Sequence, residues 1–151
     1  MPQSLSHIYL HIVFSTKGHQ KYLDKAISGE LYAYIAKILH DECHSPAKII
    51  GGIEDHIHLL INLSRIVTVA HVVEMIKKRS SKWIKTKGDK YRLFQWQTGY
   101  SVFSVSKSGV DVVTRYIADQ EGRHKKQPYK NELLALLKRH GLAYDENYLW
   151  D

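Results

Sequence analysis

Alternating apolar and polar residues mark four short segments of this chain. The run "SHIYLHIVFS" (6–15) alternates throughout. Because side chains alternate between the two faces of a strand, it predicts a strand with one fully apolar face. The run "AKIIGGI" (47–53) leads almost at once into the rest of "GGIEDHIHLLINL" (51–63), which predicts a β-hairpin. A last strand is predicted at "GYSVFSVS" (99–106).

Helical periodicity occupies much of the remaining chain. Apolar residues recur every three to four positions in four segments, the pattern of amphipathic helices. The third segment opens with Ser108 and, three residues later, Asp111, which resembles a capping box. The fourth stops at Gly141, a residue type common at helix ends. The predicted helices cover about 24–43, 68–86, 108–122 and 129–141.

The order β-α-β-β-α-β, followed by terminal helices, predicts an α+β fold with a ferredoxin-like (βαββαβ) antiparallel sheet. Two helices are expected on one face of the sheet and a C-terminal, tyrosine-bearing helix near the other. The sequence contains no internal repeat and no low-complexity linker, so residues 1–151 are expected to form one domain. The first and third strands are central in this topology, and their less apolar faces are expected on the open side of the sheet.

Two histidines stand on that open side. Along the third strand His56, His58 and Leu60 share one face, while Ile57 and Leu59 belong to the opposite, apolar face. Imidazoles two positions apart on a strand are about 7 Å apart at the backbone and can converge on one metal ion. The alternative is a pair of partly exposed histidines without a ligand. A metal site would need at least one further ligand.

The third predicted helix offers that ligand. Tyr116 and Gln120 lie four positions apart, hence on one helix face. The Gln120 amide oxygen could bind the metal while Tyr116 points at the group that the metal polarises. The alternative is a packed aromatic and a surface glutamine. Oxygen and imidazole ligands suit Mg²⁺ or Mn²⁺, whereas zinc would usually recruit thiolate or carboxylate. The roles of His11 and His124 stay undecided, since either residue could lie within reach of the site.

The net charge indicates which class of partner the protein binds, and the cysteine content indicates its cellular compartment. The formal net charge is +7 and the isoelectric point is near 9.4, which suggests a polyanionic partner such as nucleic acid. The single Cys43 excludes an internal disulfide. The sequence has neither an apolar run of membrane-spanning length nor the layout of a signal peptide, so a cytoplasmic protein without a membrane partner is expected.

Two basic segments strengthen the nucleic-acid interpretation. The first, "KKRSSKWIKTKG" (77–88), is followed by Tyr91, Phe94 and Trp96, and such a mixture suits single-stranded DNA, whose phosphates pair with cations and whose bases stack on rings. The second is "RHKKQPYK" (123–130), and both are expected to flank the metal site. The alternative is a solvated charged surface. The predicted DNA-binding residues are Lys77, Lys78, Arg79, Lys82, Lys85, Arg92, Arg123, Lys125 and Lys126.

These features together resemble the HUH single-tyrosine transposases of bacterial and archaeal insertion sequences, the TnpA type. The resemblance implies that His56 and His58 bind the metal, that Tyr116 is the nucleophile and that Gln120 is the third ligand. One departure is "GHQ" (18–20), where relatives often carry an arginine-bearing loop. The resemblance covers nearly the whole chain and rests on "HIVFSTK", "GGIEDHIHLLINL", "KKRSSKWI", "FQWQTGYSVFSVS", "VTRYIADQEGRHKK" and "GLAYDENYLWD" in this order.

The resemblance also implies an activity. A metal-dependent DNA transposase of this type cleaves and rejoins single-stranded DNA at insertion-sequence ends through a 5′-phosphotyrosine intermediate. It needs no nucleotide cofactor, because the energy of the broken bond is kept. The implied partners are single-stranded DNA with hairpin ends and a second copy of the chain. In that homodimer the tyrosine helix faces either its own or its partner's histidines, and the sequence leaves both arrangements open. The predicted edge strand (99–106) could pair with its mate.

Two other functions are considered. The first is a catalytically inactive or domesticated protein that binds single-stranded DNA or RNA hairpins. The presence of Tyr116, Gln120 and both strand histidines argues against it. The second is a two-histidine phosphoesterase, which would need a further His-x-Ser/Thr motif that "HIVFST" (11–16) does not supply.

Overall fold

Four strands form one antiparallel sheet in the computed structural model, which describes residues 2–151. The central strands pair with Val13 opposite His58, and the edge pairing sets His11 opposite Phe103. The strands are β1 (Tyr9–Ser15), β2 (Ala47–Ile53), β3 (His56–Asn62) and β4 (Ser101–Val105), in the spatial order β2-β3-β1-β4. With β1 and β3 in the centre, the ferredoxin-like α+β prediction is confirmed.

Five helices complete the fold. They are α1 (Lys25–Asp41), α2 (Val69–Ile84), α3 (Val110–Ala118), α4 (Gln120–His124) and α5 (Tyr129–Arg139). Among residues 2–151, no helix has both the length and the apolar content that a membrane crossing requires.

The main core lies between the sheet and the first two helices. Ile12 and Phe14 of β1 and Ile57 and Leu59 of β3 point to this side and are fully buried. They pack against the apolar faces of α1 and α2, whose buried residues recur at the predicted helical spacing. The strand alternation therefore assigns this face correctly.

The opposite face of the sheet is covered, as the predicted tyrosine-bearing helix near it requires, and α5 covers it as well. Val13 and Phe103 pack against leucines of α5, including Leu133, and Leu60 packs against Ile117 of α3. These apolar residues are spaced among the histidines, and burying them brings α3, α4 and α5 over the same face. The alternative in which the two strand histidines are partly exposed is therefore excluded.

The predicted third helix is split in two. Asp119 has φ −96° and ψ 22°, which ends α3 and begins α4. The proposed capping box is also wrong: the N-cap of α3 is Gly109, without a side-chain hydrogen bond, and Ser108 lies in a preceding 3-10 turn. The break changes the direction of the chain just before Gln120.

Candidate metal and tyrosine site

Two strand histidines and one helix carboxylate meet on the covered face of the sheet. His56 and His58 project from β3, and Glu132 reaches them from the first turn of α5. Oε1 of Glu132 lies 3.3 Å from Nε2 of His56 and 3.1 Å from Nε2 of His58. One ligand atom from each residue falls within 4.8 Å of the others, a spacing that suits a shared metal ion. All three side chains are buried.

The outer nitrogen of each strand histidine has a partner of its own. Nδ1 of His56 lies 2.7 Å from Oδ1 of Asp55, and Nδ1 of His58 lies 2.8 Å from Nε2 of His11. Such contacts fix the orientation of a ligating imidazole and leave its other nitrogen for the metal. His11, whose role the sequence left undecided, is thus a neighbour of the cluster.

The tyrosine and the glutamine reach the same carboxylate in spite of the helix break. The Tyr116 hydroxyl donates a hydrogen bond to Oε2 of Glu132. Nε2 of Gln120 donates to the same oxygen at 2.9 Å, and Oε1 of Gln120 lies 3.0 Å from Nε2 of His56. Glu132 therefore joins the tyrosine hydroxyl, through one oxygen, to the histidines, through the other.

The end of α4 and the start of α5 cover the cluster on the side that faces away from the sheet. Nε2 of His124 lies 3.1 Å from Oε1 of Gln120 and 3.1 Å from Oε1 of Glu132. The ring of Tyr129 stacks on His56, with ring centroids 4.2 Å apart. Gln120 and Glu132 are 1% and 2% exposed, and both strand histidines are fully buried. Solvent does not reach the ligand atoms in this arrangement.

Burial and charge set opposite protonation tendencies within the cluster. Burial lowers the pKa of His58 to about 4 and that of His11 to about 3. For His56, burial also lowers the pKa, but hydrogen bonds to Asp55 and Glu132 outweigh it and the net shift is upward. His56 therefore carries the positive charge more readily than His58.

The pKa values of the Glu132 carboxyl and the Tyr116 hydroxyl also shift in opposite directions. Burial alone would raise the pKa of Glu132, yet hydrogen bonds from His124, His56 and His58 hold it well below the usual range. Burial, followed by the hydrogen bond to this carboxylate, raises the pKa of Tyr116. The phenol therefore keeps its proton at neutral pH and donates it in a hydrogen bond to an ionised carboxylate.

The geometry of this site agrees with a comparison against known protein families. The family model described as "Transposase IS200 like" matches residues 4–120, which includes both strand histidines, Tyr116 and Gln120. The chain belongs to the IS200-like transposase family. The sequence resemblance to single-tyrosine transposases is thereby confirmed at the level of the family.

Two solved structures share the fold of this transposase. One is a protein of Deinococcus radiodurans R1 described as a transposase, with 18% identity and a TM-score of 0.62; the alignment covers 80% of this chain and 95% of that one. The other is a REP-associated tyrosine transposase bound to a REP hairpin, with 13% identity and a TM-score of 0.61, covering 82% of this chain and 72% of that one. A search of curated proteins found no match.

Glu132 is the residue of the transposase site that the sequence interpretation missed. It lies on α5, beyond the matched residues 4–120. A signal was present: Glu132 stands among Tyr129, Leu133 and Leu136 on the buried side of an amphipathic helix. A carboxylate is rarely buried on such a face without a partner. Asp55 was also missed, although it directly precedes His56.

The first basic segment lies apart from the site. Helix α2 packs on the apolar side of the sheet, so its exposed cations are separated from the histidines by the sheet itself. Nζ of Lys77 donates to the carbonyl oxygens of Gln97, Thr98 and Gly99, at 2.8, 3.2 and 2.7 Å, which is a structural role. Arg79 pairs with Glu42. The expectation that this segment flanks the site is wrong.

The aromatic residues that follow this segment are equally unavailable to DNA bases. Tyr91, Phe94 and Trp96 are 2%, 0% and 8% exposed and belong to the main core. The predicted stacking surface is therefore absent from this part of the chain. Five of the predicted DNA-binding cations are exposed there, namely Lys78, Arg79, Lys82, Lys85 and Arg92.

The second basic segment does adjoin the site. The guanidinium carbon of Arg123 lies 4.1 Å from the ring centroid of Tyr116. Lys125 and Lys126 are exposed in the short connection between α4 and α5. Of these three cations, Arg123 is the one that lies directly beside Tyr116.

Proposed function

We propose that this transposase cleaves and rejoins single-stranded DNA at insertion-sequence ends through a 5′-phosphotyrosine intermediate and that it requires a divalent metal ion. The observation that carries the proposal is the shared carboxylate of Glu132. One of its oxygens accepts the hydrogen bond of the Tyr116 hydroxyl. The other lies within 3.3 Å of Nε2 on both strand histidines. Nucleophile and metal-binding atoms are thus side by side.

The donor atoms fit a divalent metal. His56 and His58 supply imidazole nitrogens, Glu132 a carboxylate oxygen and Gln120 an amide oxygen, all within one buried cluster. Mn²⁺ and Mg²⁺ suit the oxygen ligands, and two imidazoles with a carboxylate also suit Zn²⁺. The sequence interpretation disfavoured zinc because it found no thiolate or carboxylate ligand, and Glu132 now supplies a carboxylate. When bound, the metal would neutralise charge on the scissile phosphate and orient it.

Tyr116 is the nucleophile of the proposed reaction. Its phenolic oxygen attacks phosphorus, and the ionised carboxylate of Glu132 accepts the phenolic proton. The bond between tyrosine oxygen and phosphorus forms, the bond between phosphorus and the 3′ oxygen breaks, and the leaving oxygen takes a proton to become a 3′-hydroxyl. A 3′-hydroxyl on the strand to be joined reverses these steps. The phosphodiester energy is retained, so no nucleotide cofactor is needed.

We propose single-stranded DNA with hairpin ends as the substrate. The family assignment supports DNA as the partner, and the solved REP-associated relative is itself bound to a hairpin. Arg123 supplies positive charge beside Tyr116, and Lys125 and Lys126 are exposed nearby along the same segment. We further propose that the chain acts as a homodimer, for which the edge strand β4 is the available pairing surface.

A covalent adduct tests the proposed chemistry. Incubation with a single-stranded insertion-sequence end and Mn²⁺ should give a protein–DNA species that survives denaturing electrophoresis. Tyr116→Phe removes only the hydroxyl, so the adduct should disappear while DNA binding and the melting temperature persist. An adduct formed by Tyr116→Phe at the normal rate would assign the nucleophile to another residue.

Metal-ligand variants provide the second arm of this test. His56→Ala and His58→Ala should each abolish the adduct, whereas Gln120→Ala should weaken it, because water can replace one ligand. Unchanged adduct formation in the presence of a strong chelator would contradict metal dependence. Hairpin binding without an adduct under any metal would favour the alternative of an inactive hairpin-binding protein.

A further inference from the structure

A cavity of about 600 Å³ opens directly beside Tyr116. It lies between the edge strand β4, helix α3 and the C-terminal end of α5, and His11 and Tyr116 form its inner wall. Unlike the histidine cluster, which is closed to solvent, this cavity is open at the surface. Its size falls within the range of about 300–1,000 Å³ that small-molecule sites occupy.

One side of the cavity is apolar. Phe103 forms part of this wall and carries His140 stacked on it, with ring centroids 4.4 Å apart and planes inclined by 23°. Val112 and Val113 of α3 and Leu136 of α5 complete the apolar lining. Val112 is 59% exposed, so its apolar side chain is available to a ligand in the cavity. A flat aromatic group would bury these side chains.

The other side of the cavity is strongly basic. Arg115, Arg123 and Arg139 all line it, against one carboxylate, that of Asp119. Within residues 2–151 the ion pairs involve other residues, and these three guanidinium groups stay unpaired. Nε of Arg123 is buried without a hydrogen-bond partner. Free guanidinium groups beside an apolar wall favour a ligand that is both anionic and aromatic.

We propose that this cavity binds one nucleotide of the DNA strand, next to the phosphate that Tyr116 attacks, with the base against the apolar wall and its phosphate against the arginines. This inference rests on the proposed function, since it takes the DNA strand as the ligand. A strand whose scissile phosphate lies at the Tyr116 hydroxyl must continue along one side of the ring, and the cavity forms that side. The site would select for an unstacked, single-stranded nucleotide, because a paired base cannot enter it.

Photochemical cross-linking tests the cavity without any need for cleavage. The probe is single-stranded dT12 with 5-iododeoxyuridine at its centre, and the protein is the Tyr116→Phe variant, which binds but does not cleave. Irradiation followed by peptide mass spectrometry should place the main cross-links in residues 103–113 and 136–140. Cross-links confined to other surfaces, or none in a protein that binds the probe, would overturn the proposal.

Arg139→Gln and Lys138→Gln form a matched pair for the same experiment. Both residues are exposed neighbours on α5, but only Arg139 lines the cavity. Arg139→Gln should lower the cross-link yield at least about fivefold and reduce the salt slope of binding by about 1. Lys138→Gln should leave the yield within about twofold. Equal effects of the two variants would overturn the proposal.

The two proposals fail in different ways. Cavity cross-links with no Tyr116 adduct in the cleavage assay would reject the phosphotyrosine chemistry and retain the nucleotide site. A Tyr116 adduct without cavity cross-links would retain the chemistry and reject the nucleotide site.

Discussion

Asp55 contacts His56, the first of the two histidines proposed to bind the metal. Its carboxylate oxygen lies 2.7 Å from Nδ1 of His56, and the aspartate side chain is 17% exposed. This contact keeps a proton on Nδ1 and leaves Nε2 directed at Glu132. The aspartate thereby prepares His56 for a metal although it is not itself a ligand.

Asp55→Asn should weaken metal binding about 10- to 100-fold. The amide is neutral, so it forms a weaker hydrogen bond with the imidazole and orients it less firmly. Titration calorimetry with Mn²⁺ measures this change. The matched control is Asp41→Asn, since Asp41 also contacts a neighbouring histidine, His40 at 2.9 Å, but on the surface. Equal metal affinity in the Asp55 variant and the wild type would contradict the orienting role.

Residue spacing predicted part of this cluster and could not predict the rest. His56 and His58 share a strand face, and Tyr116 and Gln120 share a helix face, so local periodicity alone groups each pair. Glu132 joins them only because α5 folds back over the sheet, a tertiary event that no local pattern encodes. The same limit applies to Lys77, whose charge looked exposed until the loop at Gln97–Gly99 enclosed it.

The position of helix α3 depends on a glycine in β2. A side-chain Cβ at Gly51 would lie 2.7 Å from the carbonyl oxygen of Ile117 and 3.0 Å from its Cγ2. Ile117 directly follows Tyr116, so this close approach sets how near the tyrosine lies to the sheet. The strand pattern "AKIIGGI" was predicted correctly, but the reason for its glycines became visible only with α3 in place.

Gly51→Ala should displace α3 and lower both stability and activity. The backbone carbonyl cannot yield as a side chain would, so we expect a loss of about 1–3 kcal/mol in the free energy of unfolding. A tyrosine moved by a fraction of an ångström should cut adduct formation more than about tenfold. Thermal denaturation and the adduct assay measure the two effects.

Gly29→Ala is the control for this substitution. Gly29 lies in α1, and a Cβ there meets nothing within 4 Å. The change should stabilise the helix by about 0.5–1 kcal/mol and leave adduct formation unaltered. If Gly51→Ala behaved like Gly29→Ala, the close contact with Ile117 would have no bearing on the site.

The prediction for the third helix was correct in extent and wrong in continuity. Periodicity over 108–122 described a helix that faces the sheet, and α3 and α4 do face it. The break lies at Asp119, whose backbone angles are not helical. The helical segments on either side are too short for the spacing of their apolar residues to reveal it. The additional cover by α5 was not predicted for a related reason, since this helix buries apolar strand residues that are scattered among polar ones.

The candidate site is complete within one chain. Gln120 contacts His56, Glu132 contacts His58, and the Tyr116 hydroxyl contacts Glu132, all within the same molecule. The sequence left open whether the tyrosine helix faces its own or its partner's histidines. We therefore expect each chain to form its own site. A homodimer formed through β4 would then hold two independent sites.

Mixing two inactive variants distinguishes the arrangements. In a mixture of Tyr116→Phe and His58→Ala chains, a site within one chain always contains a defect, so no adduct should form. A site shared between chains would regain one intact pair of residues in each heterodimer. Light scattering must confirm that mixed dimers form under the assay conditions, and an adduct in the mixture would contradict the single-chain arrangement.

The closed cover over the histidines has a consequence for the timing of the reaction. No DNA phosphate can touch Nε2 of His56 or His58 until the segment from Gln120 to Leu133 lifts. If that opening costs about 3 kcal/mol, roughly 1% of molecules are open at any moment, and every strand is cleaved about a hundredfold more slowly than an open enzyme would allow. A substrate that binds the open form more tightly recovers this loss, and others do not. If the proposed function is correct, single strands that do not favour the open form should be cleaved slowly, and a target that stabilises the open form should be cleaved faster.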